Sequence, residues 1–332
     1  MQIFEPAYYR QFVCLAGSCP DSCCKEWKVE IDETSAAYYR SLPGTLGERL
    51  REVMRDDPQW GTVMTIENGR CPMWRDDGLC RIQAELGHDA LCKTCRSFPR
   101  LCHDYGSFQE LGLELSCPEA ARLILNSEYK PHLVKEVPGG DTPDYDEDAM
   151  SVLLETRNDA LALINDTNFS VPQMLTLLLY FGYQVQNLLD GVETPAFDAQ
   201  SILESAPSFA QSNGENDVLA FLAGLEILTP EWQTQLNAHL CPIPWCDAFR
   251  NLARYFVERY WLQAVSDYDI VSRTKLAVIS CVAIHLAGGD PLRTAQLYSK
   301  EIENSDENVE AILSAAYSHP ALTDQRLLGM LV

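Results

Sequence analysis

Two patterns of apolar and polar residues divide the chain. Beyond residue 148, apolar side chains recur at spacings of three and four residues, which is the period of amphipathic helices. The segments with this period are 148–165, 171–190, 230–240, 246–268, 270–287, 291–303 and 308–318. No alternation of strands with helices accompanies them, so this part of the chain is predicted to be all-helical.

The first 130 residues carry shorter and more varied signals. Asn68-Gly69 lies within an alternating stretch, residues 61–74, and predicts a small β-hairpin. Residues 107–116 also alternate and predict a strand. Short helices are predicted after the capping residues Asp32 and Thr34, at 46–54, 81–86 and 89–95, and from Pro118 onward.

A segment rich in proline, glycine and aspartate, residues 137–148, is the strongest boundary signal in the chain. We therefore predict a cysteine-rich metal-binding module at 1–130, a linker at 131–148 and an acidic helical domain at 149–332. The fold class is mainly α, with the small β-hairpin inside the N-terminal module. At 332 residues the chain is long enough for two domains or one large composite.

The net charge of −23 is unevenly distributed. Residues 1–130 carry 15 Lys and Arg against 20 Asp and Glu, whereas residues 131–332 carry 10 against 28. The negative potential of this acidic surface repels phosphate backbones, so nucleic acid is not expected as a partner. A surface that presents lysines would be attracted to it. Solubility alone is the other interpretation of the acidic surface.

The first eighteen residues include Glu5 and Pro6 and contain no unbroken apolar run, which argues against a secretory signal. The longest apolar stretch, Met174 to Val185, is too short and too polar to span a bilayer. We therefore expect a cytoplasmic protein without membrane contact, in a compartment that keeps thiols reduced.

Ten of the thirteen cysteines fall within the first 117 residues, in two groups. This clustering in a reducing compartment indicates metal binding rather than a disulfide framework. Zinc and iron–sulfur clusters both accept four thiolates, so the spacing leaves the metal open. The candidate metal ligands are Cys14, Cys19, Cys23 and Cys24 in the first group and Cys71, Cys80, Cys92, Cys95, Cys102 and Cys117 in the second.

Other side chains near these cysteines have the chemistry to assist them. Cationic side chains offset the negative charge of a thiolate-bound cluster and lower thiol pKa values. The candidates are Arg81, Lys93, Arg96 and Arg100. His88 and His103 are possible ligands, although ordinary hydrogen-bonding histidines are the favoured interpretation.

Three stretches resemble the FliB-like family of flagellin lysine-N-methylases. They are QIFEPAYYRQFVCLAGSCPDSCCKEWKVEID, CPMWRDDGLCRIQAELGHDALCKTCRSFPR and LELSCPEAARLIL, so the resemblance covers residues 1–126. The family's cysteine pattern falls on Cys14, Cys19, Cys23, Cys24, Cys71, Cys80, Cys95 and Cys117, with Cys92 and Cys102 as additional cysteines.

This resemblance implies a function as well as a cofactor. It implies methylation of lysine ε-amino groups of flagellin, with S-adenosylmethionine as cosubstrate and a cysteine-bound iron–sulfur cluster of the [4Fe–4S] type, with zinc as the alternative. The N-terminal pattern also resembles a broader CxxCxxCC group of zinc- or iron-chelating proteins. A non-catalytic metal-binding protein is therefore the alternative function.

The residues themselves identify no S-adenosylmethionine site. A Gly-rich turn after the first strand of a doubly wound sheet is absent from the sequence. The CxxxCxxC motif of radical enzymes is absent too, because Glu26 stands three residues after Cys23 where its third cysteine would be. The catalytic and cosubstrate-binding residues stay unassigned.

Overall fold

The structure, a computed structural model, describes residues 1–25, 29–205 and 215–331, so Glu26 lies outside it. The second half of the described chain is helical, which confirms the mainly α fold class. Its helices are α6 (Glu147–Asn165), α7 (Val171–Leu189), α8 (Ala199–Ser205), α9 (Glu215–Ala223), α10 (Pro230–Asn237), α11 (Asp247–Tyr260), α12 (Ile270–Ala287), α13 (Pro291–Ile302), α14 (Asp306–Ser318) and α15 (Asp324–Gly329). Of these, α8, α9 and α15 were not expected from the sequence.

Side-chain caps fix where the long helices begin. Asp146, Asp269, Asp290 and Ser305 each accept a backbone N–H in the first turn of α6, α12, α13 and α14. Ser170 forms a reciprocal capping box at the start of α7. These bonds satisfy donors that the helix itself leaves unpaired, which is why the predicted and observed starts agree closely.

The N-terminal half mixes short helices with two small sheets. Its helices are α1 (Glu33–Ser41), α2 (Gly44–Val53), α3 (Arg81–Leu86), α4 (Lys93–Ser97) and α5 (Pro118–Asn126). Its strands are β1 (Gln2–Glu5), β2 (Val29–Glu30), β3 (Met54–Asp57), β4 (Gly61–Met64), β5 (Arg100–Asp104), β6 (Phe108–Leu113) and β7 (Leu133–Glu136). The strand predicted at 107–116 corresponds to β6.

The larger sheet has the order β5-β6-β1-β7, with β1 parallel to β6 and antiparallel to β7. The smaller sheet has the order β2-β4-β3. The hairpin of this sheet joins β3 to β4. The hairpin predicted over 61–74 was therefore wrong in position, because the observed one begins earlier in the chain and turns between Asp57 and Gly61. Asn68-Gly69 instead forms a tight turn closed by Glu67 and Arg70, which bond each other at 2.8 and 3.0 Å. A turn signal fixes the turn but not how far pairing extends from it.

Two hydrophobic cores lie in the described chain. The small core uses residues between Val29 and Cys92, including Tyr39, Leu50 and Met73. The large core runs from Tyr8 to Leu331 and combines β6 and α5 with the C-terminal helices. The division at residues 131–148 stays a prediction, although β7 lies inside that segment and pairs with β1.

Helix α12 is the centre of the large core. By length and composition it is apolar enough to cross a membrane, but 89% of it is buried, as in the core helix of a globular protein. It packs against α7, α11, α13 and α14. Helix α7 approaches it closely at Gly182, where an added Cβ would lie 2.6 Å from Thr274 Oγ1.

Replacing Gly182 by alanine therefore tests this packing. The extra methyl group would force α7 and α12 apart, and we expect Gly182→Ala to lower the free energy of unfolding by about 1–3 kcal/mol. Urea unfolding followed by circular dichroism measures the change. Leu188→Ala on the same helix, at a side chain 46% exposed, is the control and should change it by less than about 0.5 kcal/mol. Equal stability of both variants would contradict the close approach.

Candidate metal centre

Nine of the ten candidate cysteines line a single cavity of about 430 Å³. The cavity lies where the small core meets α5 and α13 of the large core. The nine are Cys14, Cys19, Cys23, Cys24, Cys71, Cys80, Cys92, Cys95 and Cys117. All thirteen cysteines lie within the described residues and are thiols.

Cys102 is the candidate that the structure does not bring to the cavity. It lies on β5, where exposed and half-buried side chains alternate, and it is on the exposed side. Side chains of neighbouring strand residues point to opposite faces, so Cys102 points away from the protein interior. The spacing of cysteines along the sequence carries no signal for this orientation.

The N-terminal cysteine loop, residues 14–24, is anchored to α13 through Asp21. The Asp21 carboxylate is buried and lies 3.0 Å from Lys25 Nζ, 3.0 Å from Arg293 Nη1 and 3.4 Å from Lys300 Nζ. Gln296 donates to the same carboxylate at 3.1 Å and to the carbonyl of Ser116 at 2.7 Å. The loop is thereby held beside the residue that precedes Cys117.

This network decides the charge on Asp21. Burial raises the pKa of its carboxyl, but Lys300 and the hydrogen bonds from Lys25, Arg293 and Gln296 outweigh that effect and lower the pKa to about 2. The carboxylate is therefore ionised at neutral pH. Its backbone carbonyl accepts the thiol of Cys19 at 3.0 Å, which connects the anchor directly to a candidate ligand.

Close backbone packing holds the other side of the same loop. Gly78, at φ +79°, brings the turn after Cys71 within 3.3 Å of Gly17, measured from the position a Cβ would occupy. The backbone N–H of Cys71 also donates to the carbonyl of Cys24 at 2.7 Å. The two cysteine groups are therefore joined through the main chain as well as through the cavity.

Three of the thiols belong to the residues that immediately precede short helices, where backbone N–H groups favour the thiolate form. Cys80, Cys92 and Cys117 are the N-cap residues of α3, α4 and α5. The pKa of the Cys117 thiol is raised to about 11. Burial is the largest cause and raises it, whereas the backbone N–H groups of Ala120 and Glu119 lower it. Such donors favour the thiolate form, which is the form that binds metal.

Asp32 positions the Cys92–Cys95 hook. Its carboxylate accepts the backbone N–H of Ser35 at 3.0 Å, which caps α1, and that of Lys93 at 2.8 Å, which starts α4. The bond from Lys93 is the largest of the effects that lower the pKa of Asp32 to about 2. The expected capping role of Asp32 is confirmed, and its second contact was not expected from the sequence.

Two pairs of neighbouring thiols affect each other's ionisation. A hydrogen bond with Cys23 lowers the pKa of Cys24 to about 7, while the same bond raises the pKa of Cys23. Cys95 lowers the pKa of Cys92 in the same way, and its own pKa is raised. One thiol of each pair therefore ionises more easily than an ordinary cysteine, as a metal ligand must.

Of the four cationic side chains that the sequence places near the cysteines, only one lines the cavity. Arg100 lines it and stacks over Phe12 at 5.1 Å, whereas Arg81 bonds Glu85 and Thr45 on the surface. Lys93 and Arg96 are not among the lining residues. Lys300 of α13 does line the cavity, and because it lies some 180 residues beyond the last clustered cysteine, no local signal in the sequence identifies it.

Of the two candidate histidines, only one lies at the cavity. His88 lines the cavity, whereas His103 lies on β5 outside it. Burial lowers the pKa of His103, and the neighbouring Arg259 lowers it further. His103 is therefore a neutral interior side chain.

Within the part of the chain that the structure describes, no three His, Cys, Asp or Glu side chains converge closely enough to hold a single ion.

Curated bacterial proteins resemble part of this chain. A lysine-N-methylase of Salmonella typhimurium is 35% identical over 130 residues, which are 37% of this chain and 32% of that protein. The flagellar biosynthetic protein FliU of Salmonella muenchen is 36% identical over 130 residues, which are 37% of this chain and 77% of FliU. No family model and no solved structure matches.

The chain belongs to the FliB-like family of flagellin lysine methylases. This confirms the family identified from the N-terminal cysteine motifs. The match spans about a third of the length of the lysine-N-methylases of Salmonella typhimurium and Salmonella choleraesuis.

The anchor at Asp21 leads to a prediction about stability. We expect Asp21→Asn to lower the free energy of unfolding by about 3–5 kcal/mol at neutral pH, because three cations lose a buried anionic partner. The folded pKa is below the unfolded value of 3.8, so the part of this stabilisation that comes from the charge of Asp21 is complete well above that value and is lost as pH falls through about 2. Urea unfolding at several pH values measures it.

The difference in the free energy of unfolding between Asp21→Asn and the wild type is compared across pH. Their difference should be constant above about pH 5 and should shrink below about pH 4. Asp89→Asn, at a fully exposed carboxyl, should leave stability unchanged at every pH. A difference for Asp21→Asn that does not depend on pH would show that its charge is not what anchors the loop.

Proposed function

We propose that this chain methylates lysine ε-amino groups of flagellin with S-adenosylmethionine as cosubstrate, and that the cysteine cavity holds an iron–sulfur cluster of the [4Fe–4S] type. The observation that carries the proposal is the convergence of nine cysteines, from two separated groups, on one cavity in a member of this family. The names of the relatives supply the reaction, and the cavity supplies the metal-binding chemistry.

The donor set suits a cluster. Nine thiols exceed the four that one [4Fe–4S] cluster or one structural zinc ion needs. The thiols line the cavity walls, an arrangement suited to a cluster whose four thiolates bind four separate iron atoms. When bound, such a cluster supplies a redox-active anionic centre. Arg100 and Lys300 provide positive charge at the same cavity.

A second cavity favours an enzyme that receives lysine. It has a volume of about 380 Å³ and shares Phe98 and Asn304 with the cysteine cavity. Five acidic side chains line it, an environment that attracts an ammonium group. These are Glu114, Glu226, Glu303, Asp306 and Glu307, and the half-exposed Trp60 lies beside them.

Methylation requires a lysine that has lost its proton and faces the methyl donor. Glu114 is one of the acidic side chains that line this second cavity, and burial raises the pKa of its carboxyl group. A carboxylate with a raised pKa is a better proton acceptor, so Glu114 is the candidate base. The alternative, a non-catalytic metal-chelating protein, requires only the cysteine cavity and neither the acidic cavity nor a cosubstrate.

We expect the anaerobically purified chain to contain iron and acid-labile sulfide and to absorb visible light. Cys23→Ser, Cys71→Ser and Cys95→Ser should each lower metal content and stability together, because metal-binding free energy contributes to folding. Elemental analysis and thermal unfolding measure both. Cys281→Ser is the control, because Cys281 is buried in α12 away from the cavity. Stoichiometric zinc in a colourless protein would contradict the cluster, and equal metal loss from Cys281→Ser would contradict the ligand assignment.

We further expect incubation with S-adenosylmethionine and the flagellin of the same cell to increase flagellin mass in steps of one methyl group on lysines. Intact-mass and peptide mass spectrometry measure this. Glu114→Gln should slow methylation by about 10²-fold or more, as expected for loss of a general base, with metal content unchanged. Unchanged flagellin mass with metal-loaded protein, together with no cosubstrate binding by calorimetry, would favour the chelating alternative.

A further inference from the structure

Three exposed tyrosines lie on the helical half of the chain. Tyr183 on α7 is 37% exposed, Tyr268 just before α12 is 43% exposed, and Tyr317 near the end of α14 is 59% exposed. Tyrosine is enriched where proteins contact each other, because its rigid ring offers a large area at a small cost in conformational entropy. We call the surface formed by these three side chains the tyrosine face.

Hydrogen bonds hold two of these rings in place. Tyr183 donates to the carboxylate of Asp324 at 2.7 Å, and Tyr317 donates to the carboxylate of Asp269. Lys275 joins the two pairs, because its Nζ lies 2.8 Å from Asp324 Oδ1 and also donates to the carbonyl group of the residue before Tyr317. The two rings therefore keep fixed orientations although large parts of them remain exposed.

Tyr268 is joined to the same face through α7. Gln186, about one turn after Tyr183, donates to the carbonyl group of Tyr268 at 2.9 Å and accepts the backbone N–H of Ile270 at 3.1 Å. The hydroxyl group of Tyr268 donates to Asp146 at 3.1 Å. Side chains that are already ordered lose little conformational entropy on binding, so this face is suited to contact with another protein.

An acidic stripe on α14 connects the tyrosine face with the acidic cavity. Asp306 and Glu307, at the start of α14, line that cavity. Glu310 and Tyr317 follow Asp306 by four and eleven residues, which places all three on one side of the helix, and each of them is exposed. At 1.5 Å per residue the distance from Asp306 to Tyr317 along the helix is about 16 Å. The stripe of Asp306, Glu307 and Glu310 therefore leads from the cavity towards the tyrosine face.

From this continuity we infer that the tyrosine face and the acidic stripe together dock the protein substrate, a lysine-bearing surface whose target side chain enters the acidic cavity. The inference rests on the proposed function and deepens it, because it names the surface that binds flagellin outside the cavity. Carboxylates of the stripe attract the ammonium groups of neighbouring lysines. The tyrosine rings provide contact area for apolar side chains and for the stems of lysines.

A second copy of this chain fits the same surface less well. The chain carries a net charge of −23, and a symmetric contact through this surface would bring the acidic stripes of both copies close together, where like charges repel. A partner that presents lysines is attracted by the same charges. Contacts outside the reacting centre supply binding energy for a large substrate but not for a short peptide that reaches only the cavity. The docking surface therefore distinguishes flagellin from a short lysine peptide.

Variants of the full chain test the docking surface. Tyr183→Ala/Tyr317→Ala removes two rings of the tyrosine face, and Glu310→Lys reverses a charge of the stripe. Tyr38→Ala/Tyr129→Ala is the matched control, because these tyrosines are 44% and 42% exposed and lie in the N-terminal half. Calorimetry measures flagellin binding without the reaction, and mass spectrometry gives KM and kcat for flagellin and for a short lysine peptide. Circular dichroism and analytical ultracentrifugation report folding and oligomeric state.

We expect the Tyr183→Ala/Tyr317→Ala protein to bind flagellin about tenfold or more weakly, since aromatic anchors carry much of the binding energy of an interface. Its KM for flagellin should rise by a similar factor with kcat unchanged, and its KM for the short peptide should stay the same. Glu310→Lys should weaken flagellin binding and lower its dependence on salt, because an attractive charge is replaced by a repulsive one. The control variant should match the wild type.

Unchanged flagellin affinity in both Tyr183→Ala/Tyr317→Ala and Glu310→Lys would overturn the docking surface, as would equal weakening in the control or no flagellin binding by the wild type. A wild-type dimer that these substitutions dissociate would assign the surface to a second copy and overturn the inference too. The exposed Glu310→Lys decides where the double variant does not fold. Flagellin that binds through this surface but gains no mass would overturn the proposed methylation alone, whereas equal methylation by wild type and both variants would overturn the docking surface alone.

Discussion

The buried carboxylate of Asp21 is the interaction on which the arrangement of the cysteines depends. A charge in a protein interior is stable only when it is paired and hydrogen-bonded, and Asp21 meets this condition with Lys25, Arg293 and Lys300. Two of these partners belong to α13, in the large core. The carboxylate therefore ties a loop of thiols, which has little apolar surface of its own, to a helix that is well buried.

Two further buried charge pairs hold the frame around this anchor. Glu110 on β6 binds Arg157 on α6 through two hydrogen bonds, at 2.8 and 2.6 Å. Glu303 accepts hydrogen bonds from Tyr255 and Tyr260 and pairs with Arg259 at 3.1 Å. These pairs join the sheet to the helices and α11 to the end of α13. Glu303 thereby holds the end of α13, the helix that carries Lys300.

The cavity exists because two cores meet without merging. The small core, built on Tyr39, Leu50 and Met73, presents five cysteines at its edge, and the large core presents α5 and α13. Tyr39 also donates to the carbonyl of Ala90 at 2.7 Å, which fixes the segment just before Cys92. A space lined by thiols from both sides is thus a consequence of packing.

The sequence by itself determined most of the helices beyond residue 148, the capping role of Asp32 and the family. These follow from spacing and residue type, which act over a few neighbouring residues. Only the tertiary structure decided that Cys102 faces away, that Lys300 and Asp21 lie beside the other cysteines, and that the hairpin joins β3 to β4. Those features depend on which distant segments pack together, and distance along the chain carries no local signal of contact in space.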